Sequence, residues 1–319
     1  MTSLQSKGRG RRGDPAFRAL VTAAGCTVLL VLGLMIVSTT ADSWPVFAKE
    51  GLRFFTSTTW DPGTSQTAIT GEYGALAFIW GTLYSSLIAI VIAVPLSVGI
   101  SLYLTEVAPK AVRRPLTYTV ELLAAVPSIV YALWGLLFFV PVVLRPVTSF
   151  LEGRLGFIPI FRGSGFGGSF FYAGVVLAIM ILPIITAIVR EVFTAVPDDE
   201  RNAALALGAT RWEMMRGVVI PRSRPGIVGG TMLGLGRALG ETIAAALLIG
   251  SAVRVNVGLF EGGYSMAAVI ANTFAESTPE GVKALIALGV ALFVITIVVN
   301  VLARLVVRRM GDVTGEAAV

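Results

Sequence analysis

The chain has 319 residues, of which 55% are hydrophobic and 14% charged, with 25 Lys and Arg against 19 Asp and Glu. Soluble domains carry about 25% charged residues, so this composition excludes an ordinary soluble globular protein and predicts a polytopic membrane protein. The single cysteine, Cys26, excludes an intrachain disulfide, and the absence of histidine argues against a zinc or haem site, so we expect no metal and no cofactor.

The N-terminal part of the chain predicts a tail, one span and a loop. Residues 1–16 are basic and Gly-rich, which indicates a disordered cytoplasmic tail. Residues 17–40 are apolar, and a core of about 19 apolar residues exceeds the usual 7–15 of a cleaved signal peptide, so we favour an uncleaved span. A polar, aromatic-bearing external loop follows over residues 43–73. The first span and this loop together form one predicted unit, residues 17–74.

Five further apolar runs follow, each long enough to cross the hydrocarbon core, which takes about 20 residues. They cover residues 75–104, 116–144, 170–193, 227–253 and 284–307. Prolines 95, 127 and 183 fall inside the second, third and fourth spans, where we expect kinks rather than helix ends. The chain is therefore predicted to be an all-α bundle of six transmembrane helices, with five of them in a core over residues 75–307 and a cytoplasmic tail over 308–319.

The positive charges predict the orientation of these spans. With the N-terminus inside, the cytoplasmic segments hold 17 Lys and Arg and the external segments 7. The positive-inside rule then places both termini in the cytoplasm of a multi-pass protein of the cell membrane. Topology also explains the basic composition better than a nucleic-acid partner does, because the basic residues flank the spans.

The longest cytoplasmic segment, residues 197–225, predicts a helical hairpin. Residues 198–207 can form a short amphipathic helix, Gly208 permits a turn, and a second helix begins near Arg211 and ends at Pro221. Such a hairpin projects below the bilayer and can fit a groove on a soluble partner. The alternative is an ordinary amphipathic surface loop.

Two charges, Arg237 and Glu241, lie inside the fifth apolar run. Such residues usually face protein or an aqueous path, because a bare charge in the bilayer costs at least a few kcal/mol. On a helical wheel they share a face with the small residues Gly226, Gly230 and Gly234, which predicts that both charges point at protein. Their i,i+4 spacing permits a structural ion pair. The alternative is that Arg237 contacts an anionic substrate, because guanidinium matches phosphate oxygens, while Glu241 orients or releases it.

Several motifs carry a resemblance to a known family. Asn202-Ala203-Ala204, Gly208 and the segment 218–221 resemble the EAA loop of ABC-transporter permeases, with Asn202 in place of the glutamate. GLGRALGET at 234–242, together with residues 81–109 and 120–136, is similar to the phosphate-specific ABC permeases of the PstC type. The resemblance extends over roughly residues 75–307. It implies an ABC importer permease (MetI-like) bundle that translocates inorganic phosphate.

The resemblance also implies partners and site residues. The partners are a PstA-like permease subunit in a heterodimer, two copies of a PstB-like cytoplasmic ATPase, a PstS-like external phosphate-binding protein and membrane lipid. Arg237 and Glu241 match residues implicated in transport, and the ATPase-coupling residues are Asn202, Ala203, Ala204, Gly208 and Pro221. No Gly-Lys dipeptide occurs, so the phosphate-cradling loop is absent and the chain is expected to be non-catalytic.

Other interpretations stay open at this point. The chain is also compatible with a PstA-type subunit or a permease for sulfate or molybdate, and a membrane-embedded enzyme such as a lipid phosphatase is a third class. The lack of histidine and of a clustered nucleophile with its base argues against the enzyme. We expect Glu121 to be interfacial and Glu106 to be solvated. The apolar stretch 264–274 is too short to span, so it is either re-entrant or on the surface.

Overall fold

The computed structural model describes residues 13–61, 70–163 and 167–315, which are mainly helical. Within this part of the chain, five helices are long and apolar enough to cross a membrane, namely Phe17–Glu50, Leu76–Val107, Ser128–Leu155, Phe170–Thr194 and Pro279–Leu305. The remaining predicted span, residues 227–253, is divided between two helices. The predicted all-α membrane bundle is therefore confirmed, and five continuous helices with one interrupted helix are compatible with six spans.

Both predicted tails lie partly outside the described residues. Residues 1–12 of the predicted disordered tail and residues 316–319 at the other end are outside them. Helix α1 (Gly13–Glu50) begins within the predicted N-terminal tail, and helix α13 (Pro279–Gly315) continues into the predicted C-terminal one. The helices thus extend beyond the apolar runs that the sequence analysis delimits.

The first helix is longer than the apolar run that predicts it. Helix α1 continues ten residues past the predicted end at residue 40 and contains Pro45. It stops before Gly51, whose φ of +54° is the left-handed conformation with which helices commonly end. The predicted polar loop 43–73 is therefore partly structured: α2 (Arg53–Thr56) follows, and β1 (Trp60–Asp61) pairs antiparallel with β2 (Glu72–Tyr73).

A buried carboxylate ties this β1–β2 hairpin to the start of α13. The Glu280 side chain accepts hydrogen bonds from the Gly71 N–H at 2.6 Å and from the Thr70 hydroxyl at 3.0 Å, and only 2% of the residue is exposed. The Lys49 ammonium group at the end of α1 donates to the Gly71 carbonyl at 2.6 Å. Three segments that are distant in sequence therefore meet at one end of the bundle.

The centre of the bundle is the packing of α3 (Leu76–Leu102) against α7 (Phe170–Thr194). Small and hydroxyl side chains allow the two helices to approach closely, as is common between membrane helices. The Ser97 hydroxyl donates to the Leu182 carbonyl at 3.0 Å and the Ser101 hydroxyl to the Thr186 carbonyl at 3.1 Å. Pro95 and Pro183 lie inside these helices, as predicted. A π-helical turn, Tyr103–Val107, extends α3.

The third span begins later than the sequence predicts. Helix α4 (Lys110–Ala124) ends before Pro127, and α5 (Ser128–Trp134) begins after it and continues through π-helical Gly135–Leu144 into α6 (Arg145–Leu155). The prediction that Pro127 is a kink inside a span over 116–144 is wrong. Because the residue before a proline is driven out of the α region, Val126 breaks the helix here.

The stretch predicted as re-entrant or superficial is packed into the bundle. Helix α12 (Met266–Thr273) follows an irregular loop, and its first four residues are buried. The Met266 N–H donates to the hydroxyl of Thr82 in α3 at 2.9 Å. Gly81 lies directly against the Tyr264 carbonyl, where a side chain would collide. The surface alternative is therefore wrong for this segment.

Candidate functional site

The predicted helical hairpin is present. Helix α8 (Asp198–Ala206) matches the predicted helix 198–207, and Gly208 makes the turn with a φ of +89°. A side chain at this φ is strained, which explains the glycine. The next helix begins with α9 (Arg211–Met214).

A capping box that sequence analysis missed fixes the start of α9. The Glu213 carboxylate accepts from the Thr210 N–H and hydroxyl, both at 2.8 Å, and the Glu213 N–H donates to the Thr210 hydroxyl oxygen at 3.3 Å. The Thr210 backbone N–H, and then its hydroxyl, hold the pKa of Glu213 below its ordinary value. The sequence itself indicates this cap, because Thr-x-x-Glu at the start of a helix is the usual pattern of a capping box.

The second helix of the hairpin does not end at Pro221 as predicted. It continues from α9 through the π-helical turn Met215–Val219 into α10 (Ile220–Leu239) without interruption. Pro221 stands in the first turn of α10, where a proline's missing N–H and fixed φ are tolerated. The second helix of the hairpin and the first part of the fifth span, up to Leu239, are thus one continuous rod.

The outward side of the hairpin is exposed and partly apolar. Asn202, Ala203 and Gly208 are exposed, and Ala204 is half-buried. Leu207 at the turn is 90% exposed and Trp212 is 59% exposed, so two large apolar side chains flank the turn. Leu207 and Trp212 lie on either side of Gly208 in the sequence, and this position next to the turn is the signal that marks them.

The inward side of α8 carries a nearly buried ion pair. Arg201 donates from Nη2 to the Glu106 carboxylate at 3.1 Å, with side-chain exposures of 14% and 10%. The expectation that Glu106 is solvated is therefore wrong, since the π-helical turn after α3 brings it beneath α8. Glu121 pairs with Arg190 at 3.0 Å in a more exposed position, which agrees with an interfacial residue.

A face of small residues joins α10 to α7, as the sequence predicts. Gly226 lies against Val192, and a Cβ on Gly234 would stand 2.7 Å from Cδ1 of Ile185. Because the glycines carry no side chain, the side chains of α7 pack directly against the backbone of α10 at these points. This interface sets the position of the end of α10 relative to the core of the bundle.

Arg237 lies in the last turn of α10 and opens onto a groove between α7, α10 and α13. The groove has a volume of about 530 Å³ and is lined by Ile184, Gly229, Met232, Leu233, Gly236, Arg237, Asn300 and Arg304. Arg237 is exposed in this single subunit, and it makes no hydrogen bond or ion pair to any residue that the structure describes. Its N–H donors face the groove side of the chain and are available to a ligand or another subunit.

Glu241 is not on the same helix as Arg237. Helix α10 ends at Leu239 and α11 (Ile243–Leu248) begins after a break at Gly240–Thr242. The helical wheel therefore does not extend to Glu241, and the two side chains do not pair among the described contacts. The half-buried Glu241 instead accepts from the Ala244 N–H at 3.3 Å and caps α11.

The helical bundle, with a hairpin projecting from its longest inter-span segment, defines a membrane permease fold. It is similar to a subunit of a bacterial alginate ABC transporter, solved in complex with an alginate pentasaccharide-bound periplasmic protein. The TM-score is 0.62 at 17% identity, over 94% of this chain and 96% of that one. At this identity the likeness shows the fold alone, which is the predicted ABC importer permease bundle.

Sequence comparison shows the family. The family model of binding-protein-dependent transport system inner membrane components matches residues 96–312, and the chain belongs to this family. It is 43% identical to the phosphate transport system permease protein PstC of Xylella fastidiosa strain 9a5c, over 97% of this chain and 94% of the relative. It is also 43% identical to the PstC protein of Mesorhizobium japonicum, over 95% of this chain and 92% of the relative. The predicted resemblance is thereby confirmed.

Proposed function

We propose that the chain is the permease subunit of an ATP-driven importer that moves inorganic phosphate across the cell membrane. The observation that carries the proposal is the 43% identity, along nearly the whole chain, to relatives named as phosphate permeases. The full length of the match matters because it includes both the hairpin and the segment with Arg237. The chain lacks a phosphate-cradling loop, so the ATP is hydrolysed on a separate subunit.

Arg237 is the proposed contact for the translocated anion. It lies in a membrane segment without a counterion among the described residues, and such a charge is costly unless an anion or water reaches it. Asn300 and Arg304 line the same groove, and Arg304 supplies a second guanidinium group beside that of Arg237. A phosphate ion can accept two parallel hydrogen bonds from one guanidinium, which makes this groove suited to an oxyanion.

Glu241 has a different role from Arg237 in this proposal. It stands at the break between α10 and α11, a few residues from Arg237, where its negative charge opposes that of an incoming anion. Translocation requires binding weak enough for release, and a nearby carboxylate keeps the anion from being trapped. Its hydrogen bond to the Ala244 N–H holds the carboxylate at the break.

The hairpin is the proposed docking surface for the ATPase. Leu207 and Trp212 present apolar area beside Asn202, Ala203 and Gly208, and a groove on a soluble subunit can cover them. Pro221 lies farther along this rod, in the first turn of α10, and acts only through the helix geometry that it fixes. With the positive-inside orientation, the hairpin and both termini are cytoplasmic.

The remaining partners follow from the same proposal. A PstA-like subunit completes the pathway beside Arg237, two PstB-like ATPase copies bind the hairpins, and a PstS-like protein delivers phosphate to the external side. The external hairpin held by Glu280 lies at the opposite end of α13 from the predicted cytoplasmic tail, so it faces that protein.

Reconstitution tests the proposal. The chain is placed in proteoliposomes with its permease partner, ATPase and external binding protein, and uptake of labelled phosphate and of sulfate is measured with and without ATP. We expect ATP-dependent phosphate uptake that requires the binding protein, and no ATP hydrolysis by the chain alone. Uptake of sulfate but not phosphate, or release of phosphate from esters by the isolated chain, would contradict it.

A further inference from the structure

Arg201 is the most extensively hydrogen-bonded side chain of α8. Its Nη1 donates to the Val196 carbonyl at 2.7 Å and to the Asp198 carboxylate at 2.9 Å. Its Nη2 donates to the Phe193 carbonyl at 2.6 Å and to the Glu106 carboxylate at 3.1 Å. The two terminal nitrogens thus make four contacts, so the orientation of this planar group is fixed.

Two of the four acceptors, Phe193 and Glu106, lie at the ends of the two helices at the centre of the bundle. Phe193 lies in the last turn of α7, where carbonyls lack helical partners and a cation is favourable. Glu106 lies in the π-helical turn that extends α3. Arg201 therefore fastens α8 to the inner ends of both α3 and α7, and these two helices pack along their length.

We propose that the Arg201–Glu106 bridge transmits the displacement of α8 to the α3–α7 pair, which makes Arg201 a positioning residue for transport. The inference rests on the proposed docking of the hairpin on an ATPase. From α7 the contacts continue through the Gly226 and Gly234 interface to α10 and its last turn, where Arg237 lies. A contiguous path of packed elements thus links the docking surface to the proposed anion contact.

The burial of the bridge distinguishes it from other ion pairs of the hairpin. Arg222 approaches Glu200, also on α8, at 3.7 Å, but their side chains are 65% and 40% exposed. Exposed pairs of this kind contribute little and hold no fixed geometry. Breaking a buried pair leaves a charge without its partner, so Arg201 cannot release Glu106 at low cost. The pair of Arg222, in α10, with Glu200, in α8, is therefore a matched control that involves the same helix α8.

The test measures phosphate imported per ATP hydrolysed by the complete complex, together with the amount of assembled complex. Arg201→Lys removes the planar two-nitrogen contact, and Glu106→Gln removes the negative charge while keeping the shape. We expect each to lower the ratio roughly tenfold, within the usual range of coupling between sites, while ATP hydrolysis and assembly persist. The double variant falls no further, because both changes break the same bridge. Arg222→Lys leaves the ratio unchanged.

Two outcomes would overturn the inference. One is an unchanged ratio in assembled Arg201→Lys and Glu106→Gln complexes. The other is a parallel fall of assembly, hydrolysis and uptake in both variants, which indicates a purely structural tie. If Arg201→Lys alone fails to assemble, the ratio in Glu106→Gln decides. If the unaltered complex fails to import phosphate, the proposed function is overturned instead. That result is distinguishable from failure of this inference, in which the unaltered complex imports phosphate and the variants keep its ratio of phosphate to ATP.

Discussion

At the scale of single residues, the geometry of Arg237 separates two explanations for a charge in a membrane segment. An ion pair within the chain would neutralise it, but the helix ends at Leu239 and the nearest acidic residue along the chain, Glu241, caps the next helix. No acidic side chain among the described residues pairs with Arg237, which supports the proposal that the charge serves another molecule. This is the arrangement expected where an anion must bind and leave again.

Substitution of Arg237 tests this explanation. We expect Arg237→Gln and Arg237→Lys each to lower phosphate uptake by roughly 10- to 100-fold, which corresponds to the loss of a charged hydrogen bond. Lysine does not restore uptake, because a point charge cannot supply the planar two-pronged contact. Uptake is measured beside the amount of assembled complex, which stays constant. Arg254→Gln, in the exposed loop after α11, is the control and retains uptake.

The double change Arg237→Gln with Glu241→Gln addresses the ion-pair alternative. Because the two side chains do not pair in the structure, the double variant stays inactive. Recovery of uptake in the double variant would show that the charges serve each other and not the substrate.

Residues of the site were predictable from the sequence only where a local signal marks them. Arg237 is evident because it interrupts an apolar run, and Gly208 because it divides two helical patterns. Arg201 and Glu106 are 95 positions apart, and no local pattern indicates that two charges on separate elements will meet. The same holds for Glu280 and Gly71, which lie 209 positions apart.

At the scale of secondary-structure elements, the apolar runs predict the existence of helices better than their continuity. The runs at Pro95, Pro127 and Pro183 are alike in composition, but only the one at Pro127 ends a helix. The other two prolines lie within the tightly packed α3–α7 pair, and neighbouring groups there can satisfy freed carbonyls. The break at Gly240–Thr242 is equally hidden, because Leu239 and Ile243, which border it, belong to the same apolar run.

The turn at Gly208, between α8 and α9, provides a prediction at this scale. Gly208 has a φ of +89° and Gly217 has no such strain, and neither has an atom within 4 Å of an added Cβ. We expect Gly208→Val to uncouple ATP hydrolysis from phosphate uptake, because a β-branched residue at this φ distorts the turn at a cost of about 1–3 kcal/mol. The measurement is the uptake-to-hydrolysis ratio, with Gly217→Ala as the control that keeps it. Normal uptake by Gly208→Val would contradict a coupling role for the turn.

At the scale of the whole molecule, one end of the bundle is closed by contacts between the first helix and the last. Helix α1, the β1–β2 hairpin and α13 meet around Glu280, and the helices α1 and α13 pack together. The first span and the last are therefore held in one body, although the core of the bundle lies between them in sequence.

Removal of the buried carboxylate tests this closure. We expect Glu280→Ala to lower the free energy of unfolding by about 1–3 kcal/mol, because the buried Gly71 N–H loses its acceptor. The purified variant should melt at a lower temperature and be cut faster by trypsin at Lys49 and Arg53. Glu276→Ala, at an exposed position three residues before α13, should do neither. Equal melting and cleavage of both variants would show that the β1–β2 hairpin is held by other contacts.

Helices α1 and α7 are equally apolar, but the apolar window of α1 has no buried residues and that of α7 is 67% buried. Exchanges among Leu, Ile and Val within the apolar window of α1 replace no buried side chain, whereas the same exchanges along α7 alter contacts with five neighbouring helices, α3, α4, α5, α10 and α11. Mutational tolerance should therefore differ sharply between two segments that hydropathy cannot distinguish. Sequence drift among natural variants is accordingly expected to concentrate in α1 and to spare α7.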